Sequence, residues 1–175
     1  QEVAIRFSVG GVTTTSTGEA LLPTARVSSI LRELQDDQFE INVEEQSLTL
    51  KAAGSQFRLS SEDPRDFPPV PEFSDSDYFR IPASVFRQII RRTSFATDVE
   101  STRYALGGLL LEFEDGKVTV AATDSRRLAV ATAACESEGS PKAPEKTTVV
   151  PTRAMALLER SIDADAEFVD VAVRE

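Results

Sequence analysis

The sequence contains no histidine, no tryptophan and a single cysteine, Cys135, among its 175 residues. Without histidine, Ser-His-Asp and Cys-His nucleophile systems are excluded, as is every zinc site with a histidine ligand. One cysteine excludes an internal disulfide and a four-cysteine zinc site, and it fits a reducing compartment. We therefore expect no metal and no other cofactor, and a cytoplasmic location.

Long apolar runs and glycine-rich phosphate loops are also missing. No apolar run approaches the roughly 20 residues of a membrane span, and the first residues carry no basic-then-apolar signal segment. Apolar residues alternate with other residues from Val3 to Val9, as they do in a strand, so we expect the chain to begin within a strand. The net charge of −10 opposes a protein that coats nucleic acid with its whole surface. Composition alone predicts a soluble, acidic, globular protein.

A unit that opens with proline occurs three times, at Leu22-Pro23, Ile81-Pro82 and Val150-Pro151. Apolar residues spaced three and four positions apart follow each proline, and this spacing places them on one side of a helix. Proline suits the first helical turn, where its missing N–H has no partner to lose. We predict helices near 23–34, 82–95 and 151–162.

Alternating apolar and polar residues follow each predicted helix, as in half-buried strands. Asp115-Gly116 between two such runs is a strong hairpin signal, and Gly54-Ser55 is a second plausible turn. The strands that we predict lie at 3–9, 39–43, 48–52, 57–59, 109–113, 118–122, 128–133 and 168–173. Helices followed by antiparallel strands indicate an α+β fold, with the helices on one face of the sheets.

The segment 64–77 holds four prolines and four acidic residues, which is typical of a linker. We expect residues 1–63 to belong to one domain that is incomplete at its start and residues 78–175 to belong to another that is incomplete at its end. Both outer ends are expected to be truncated.

Positive charge is concentrated in the three predicted helices, which carry seven arginines and two glutamates. One interpretation is that exposed helix faces are charged and arginine is a good helix former. The other is a surface that attracts a phosphate backbone without reading bases. The arginines are Arg26, Arg32, Arg87, Arg91, Arg92, Arg153 and Arg160.

Two stretches carry a family resemblance: Thr102-Arg103-Tyr104-Ala105-Leu106-Gly107-Gly108, and Val120-Ala121-Ala122-Thr123-Asp124-Ser125-Arg126-Arg127-Leu128-Ala129. They resemble the RYxLNG and VATDGHRLA segments in the middle domain of bacterial sliding clamps, the beta subunits of DNA polymerase III. Phe57-Arg58-Leu59, Asp66-Phe67-Pro68, Ile81-Pro82, Thr93-Ser94-Phe95-Ala96 and Val149-Val150-Pro151 follow the family pattern in order. The resemblance covers essentially the whole chain. It implies that residues 1–63 are the second half of the first clamp domain, 64–77 the linker and 78–175 most of the second domain.

The resemblance implies DNA-clamp (processivity-fold) domains in a head-to-tail homodimer ring that encircles duplex DNA. The helices, with their arginines, would line the ring and face DNA. The implied function is non-catalytic: a processivity factor in DNA replication that tethers the catalytic subunit of DNA polymerase III, the clamp loader and other proteins with a clamp-binding motif. A pocket for those motifs would be formed by Arg103, Leu106, Thr123, Ser125, Arg126, Arg127 and Leu128.

Two departures concern the implied pocket, because Ser125-Arg126 replaces the family's Gly-His and Gly107 replaces its Asn. A turn that used glycine for an unusual backbone angle must accommodate serine here. From spacing alone, Thr123–Arg127 would be a polar hairpin turn with no binding role.

Two other classes of function remain as alternatives. One is an acidic peptide-binding module with no DNA role. The other is a carboxylate hydrolase using Glu112, Asp115 or Asp124, although the sequence shows no convergent pair of acids. Asp163-x-Asp165-x-Glu167 superficially suggests a calcium loop but lacks its central glycine and later ligands.

Overall fold

The computed structural model describes residues 3–44, 47–114, 116–142 and 148–173. The chain divides into two compact units, Gln1–Glu72 and Phe73–Glu175. Their boundary falls inside the segment 64–77 that the sequence analysis assigns to a linker. Each unit has its own apolar core.

The first unit places one helix on a three-stranded antiparallel sheet. Its elements are α1 (Thr24–Glu33), β1 (Glu40–Glu44), β2 (Ser47–Ala52) and β3 (Ser55–Ser60), with strand order β1-β2-β3. Val27 of α1 packs with Leu48 and Leu50 of β2, and all three are buried. The alternation along β2 therefore turns one side of the strand to the helix and the other side away.

The predicted strand at 3–9 is wrong. These residues form no strand, and Val3, Ile5, Phe7 and Val9 are exposed. Arg6 ion-pairs with Glu72 and donates a hydrogen bond to the Val70 carbonyl oxygen at 2.9 Å. Alternation produces a strand only where another backbone pairs with it, and no described residue supplies that pairing.

The second unit contains two antiparallel sheets and two helices. In chain order its elements are β4 (Tyr78–Pro82), α2 (Ala83–Ser94), a 3₁₀ turn (Tyr104–Leu106), β5 (Gly108–Glu114), β6 (Lys117–Thr123), β7 (Leu128–Ala134), β8 (Glu136–Glu138), β9 (Thr148–Pro151), α3 (Thr152–Ser161) and β10 (Phe168–Val171). The strand orders are β7-β6-β5-β9 and β10-β4-β8. The α+β prediction is confirmed, and the three helices lie within about one residue of their predicted ends.

The core of the second unit lies between its helices and its strands. Phe86 and Ile90 of α2 are nearly inaccessible, as are Leu109 of β5 and Val120 of β6. The rings of Phe79 and Phe113 stack with centroids 4.3 Å apart, so β4 and β5 also meet in this core. The buried alternation of β5 and β6 fixes which residues of each strand face outward.

Candidate functional site

One end of the four-stranded sheet brings together the two stretches that resemble the clamp motifs. β5 begins at Gly108, which pairs with Pro151 of β9, and β6 ends at Thr123, which pairs with Leu128 of β7. Because β5 and β6 are antiparallel, the start of one lies beside the end of the other. We call this region, residues 103–108 and 123–128, the sheet end.

The loop from Thr123 to Leu128 is closed by its own polar groups. Thr123 Oγ1 donates to the Arg127 carbonyl oxygen at 2.8 Å and accepts from the Ser125 amide at 3.1 Å. Asp124 Oδ1 accepts from the Arg126 and Arg127 amides, both at 2.9 Å. These contacts hold the loop around Ser125, which has a φ of +71°. Serine thus occupies the left-handed backbone region that normally favours glycine.

Asp124 is the electrostatic centre of this loop. Backbone hydrogen bonds from Arg126 and Arg127, followed by the nearby Arg127 charge, hold the pKa of its carboxyl below the ordinary value of 3.8. Its Oδ2 lies 3.0 Å from Arg127 Nε. The carboxylate is therefore ionised at neutral pH and suited to orienting the loop, whereas a general acid needs a raised pKa.

The segment 103–108 is anchored to β9 and α3. Tyr104 Oη donates to the Val149 carbonyl oxygen at 2.8 Å. The amide and Oγ1 of Thr152 both donate to the Gly107 carbonyl oxygen at 3.0 Å. Leu106, which is half-buried, and Gly108 are therefore fixed beside the first turn of α3.

Apolar surface and positive charge lie together at the sheet end. Leu128 and Tyr104 are 69% and 70% exposed. Arg103 and Arg126 are exposed, and within the described residues their guanidinium groups make no hydrogen bond or ion pair. Such a surface can bind a peptide through apolar anchors and polar or acidic groups beside them.

The helix arginines have different surroundings in the structure. Arg87 Nη2 donates to the carbonyl oxygens of Ile162 and Asp163 at 2.8 and 3.1 Å, which leaves Arg87 half-buried. Arg91 ion-pairs with Glu159 of α3. If Arg87 and Arg91 contact DNA as predicted, they must do so with guanidinium groups that already bind α3 or the residues directly after it.

The other helix arginines are exposed. Arg160 Nε donates to the Ala156 carbonyl oxygen of its own helix at 3.1 Å. The remaining four make no side-chain hydrogen bond or ion pair with any part of the chain that the structure describes: Arg26 and Arg32 on α1, Arg92 on α2 and Arg153 on α3.

The candidate acids of the hydrolase alternative do not assemble. Glu112 is exposed on β5, Asp124 is engaged by its own loop, and Asp115 lies outside the described residues. Within those residues no group of three or more Cys, Asp or Glu side chains is arranged to hold a metal ion. Asp163 instead accepts a hydrogen bond from the Asp165 amide.

Membrane-spanning helices are not found: in the described ranges, no helix combines the length and apolar character needed to cross a bilayer.

The sequence analysis did not predict three side-chain contacts. Asp124 closes its own loop, Tyr104 bonds to β9, and Glu159 bonds to Arg91. Asp124 had a usable signal, because aspartate often accepts hydrogen bonds from amides two and three residues ahead. Tyr104 and Glu159 had none, since their partners are 45 and 68 residues away.

Comparison with known proteins matches the chain to two successive domains of one protein family. Residues 80–175 match the central domain of the DNA polymerase III beta subunit, and residues 1–71 match its N-terminal domain. A beta sliding clamp from Halalkalibacterium halodurans is 31% identical over 159 residues, which is 90% of this chain and 42% of that protein.

Solved structures agree with this match. The DNA polymerase III subunit beta of Pseudomonas aeruginosa is 34% identical, with a TM-score of 0.76 over 90% of this chain and 43% of that one. A DNA polymerase sliding clamp from Bacillus subtilis is 26% identical, with a TM-score of 0.81 over 96% and 44%. The chain spans less than half the length of these relatives. It belongs to the family of DNA polymerase III beta subunits, the beta sliding clamps.

Proposed function

We propose that this chain is part of a DNA sliding clamp, a non-catalytic processivity factor that encircles duplex DNA during replication. The observation that carries the proposal is the match to two successive clamp domains over 1–71 and 80–175. In this proposal, residues 1–63 are the second half of the first domain, 64–77 are the linker and 78–175 are most of the second. The full-length protein would be a cytoplasmic homodimer ring.

The sheet end is the proposed peptide-binding pocket. Leu106 and Leu128 would contact aliphatic or aromatic anchors of a partner peptide, and burying such an anchor is worth about 1.5–3 kcal/mol. The aliphatic stems of Arg103, Arg126 and Arg127 would flank the anchors while their guanidinium groups meet polar or acidic groups. Thr123 and Ser125 shape the backbone between them. The proposed partners are the DNA polymerase III catalytic subunit, the clamp loader and other proteins with the same motif.

A peptide titration followed by NMR tests the pocket. We expect shifts at 103–106 and 123–128, and roughly tenfold weaker binding in Leu128→Gln, because that side chain would lose its apolar contact. Val43→Gln is the matched control, since Val43 is a half-exposed apolar residue on β1 of the other unit. Arg127→Ala should also weaken binding. Shifts elsewhere, or equal losses in Leu128→Gln and Val43→Gln, would refute the assignment.

The proposed DNA contact is electrostatic and independent of base sequence. Exposed arginines on α1, α2 and α3 would meet phosphates, while the net charge of −10 keeps the contact of this isolated chain weak. A ring retains DNA by enclosing it, so weak and easily exchanged contacts suit sliding.

Charge reversal tests that contact. In low salt we expect weak duplex binding that disappears in the double variant Arg92→Glu/Arg153→Glu. The control Lys117→Glu/Arg58→Glu makes the same change of charge on exposed strand positions and should retain binding. Equal binding by both variants would favour a peptide-binding module with no DNA role. Tight binding near physiological salt would contradict retention by enclosure.

A further inference from the structure

Two arginines of α2 join this helix to α3. The Arg87 guanidinium donates to the Ile162 and Asp163 carbonyl oxygens, at the carboxyl end of α3. One turn further along α2, Arg91 Nε donates to Glu159 Oε1 at 2.7 Å, and its Nη2 lies 2.5 Å from the same oxygen. Both contacts lie on the side of α2 that faces α3.

Glu159 is the only acidic residue in either helix. Its side chain is 16% exposed, whereas that of Arg91 is 68% exposed. The carboxylate is therefore held between the helices, while part of the Arg91 guanidinium is open to solvent. A negative charge sits within hydrogen-bond distance of a cation on the surface where the helix arginines emerge.

We propose that Glu159 weakens the attraction of this surface for phosphate by occupying Arg91. The inference rests on the proposed DNA contact. A phosphate that approaches Arg91 must compete with a carboxylate already bonded to it, and at longer distances the pair presents little net charge. The surface then contacts phosphates mainly through Arg92, Arg153 and Arg160. The two on α3 lie seven residues apart and share one side of that helix.

This arrangement gives Glu159 a role beyond its contribution to the net negative charge of the protein. A carboxylate elsewhere on the protein changes the total charge only. Glu159 changes the number of cations free to exchange with the counterions around DNA. The salt dependence of binding measures that number. Each phosphate neutralised makes the slope of log K against the logarithm of the salt concentration more negative by about 0.9.

Glu159→Gln and Glu112→Gln separate the two effects. Each substitution removes one negative charge, but Glu112 is exposed on β5 between the buried Leu111 and Phe113, so its side chain lies on the face of the strand opposite the core. With a fluorescent duplex in an anisotropy titration, Glu159→Gln should steepen the slope by about 0.9. Its affinity should gain about threefold more than that of the parent chain on fourfold dilution of salt. Glu112→Gln should leave the slope unchanged.

The double variant Arg91→Gln/Glu159→Gln should return to the slope of the parent, since no freed cation remains. If Glu159→Gln melts early, the single variant Arg91→Gln carries the test, and it should lower the slope less than Arg92→Gln does. Identical slopes for Glu159→Gln and Glu112→Gln, or equal losses in Arg91→Gln and Arg92→Gln, would overturn the inference. Absence of any binding by the parent in low salt would instead overturn the proposed DNA contact.

Discussion

Gly108 lies where β5 meets β9, and a methyl group added there has no space. A Cβ at this position would lie 2.6 Å from the Val150 carbonyl oxygen and 2.7 Å from Val149 Cγ1. Both distances are far below the roughly 3.5–4 Å of a relaxed contact, and the first involves backbone that cannot rotate away. Gly108→Ala must therefore push β9 away from β5, at an overpacking cost of about 1–3 kcal/mol.

Gly107→Ala is the matched control. At this neighbouring position an added Cβ would meet its nearest atoms, the Asp98 and Tyr104 carbonyl oxygens, at 3.7 and 3.8 Å. These are ordinary van der Waals distances, and its φ is −84°. Gly107→Ala should therefore melt close to the parent.

Thermal melts followed by tyrosine fluorescence measure the effect. Both tyrosines, Tyr78 and Tyr104, belong to the second unit, and the chain has no tryptophan. For a unit of this size, 1–3 kcal/mol corresponds to a Tm lower by about 5–20 °C. The Tyr104 bond to Val149 should loosen as well, because Val149 lies on the displaced strand. If Gly108→Ala and Gly107→Ala melted together, β9 would not pack against β5 as described.

Three further predictions concern the sheet end and the core. The folded state stabilises the ionised carboxylate of Asp124 and so lowers its pKa. This stabilising effect is complete above the unfolded-state pKa and is lost as the pH falls through the lower folded-state pKa. In an acid titration followed by NMR, the Arg126 and Arg127 amide signals should shift as Asp124 is protonated, and Asp124→Asn should abolish these shifts. Ser125→Gly should stabilise the second unit by about 0.5 kcal/mol in urea unfolding, because relief of left-handed backbone strain exceeds the extra conformational freedom of glycine in the unfolded chain. Ser125→Val should destabilise the unit by about 1 kcal/mol. A valine variant more stable than the glycine variant would exclude the positive φ at this position. Phe86→Ala should cost about 3–5 kcal/mol in the same assay, and a loss below 1 kcal/mol would contradict its place in the core.

The helices were predictable because their signals are local. Proline at each start and apolar residues three or four positions apart are properties of one segment, and packing reinforces them. The β5–β6 hairpin was predictable for the same reason, from alternation on both sides of Asp115-Gly116. Spacing alone located the Thr123–Arg127 turn, whereas its predicted binding role came from the family resemblance. Aspartate at position 124 was a signal for hydrogen bonds to the Arg126 and Arg127 amides, but the bonds of Thr123 had no comparable signal.

The strands β4, β8 and β9 were missed because they depend on distant partners. Tyr78–Pro82 pairs with β8 on one side and β10 on the other, so Arg80 lies opposite both Glu136 and Asp170. Three residues of β8 carry no periodicity that a sequence pattern could detect. The same reasoning explains the false strand at 3–9, which alternates without a described partner.

The closed loop at the sheet end has a consequence for the thermodynamics of the proposed peptide binding. Thr123 and Asp124 fix the backbone from Ser125 to Arg127 before any partner arrives. Ordering a flexible loop on association consumes part of the free energy that the contacts provide. Here that ordering is already accomplished during folding. If the proposed pocket binds a short peptide with only a few anchoring side chains, that peptide would therefore retain more of its contact energy as affinity, and most of the entropic cost of association would fall on the peptide.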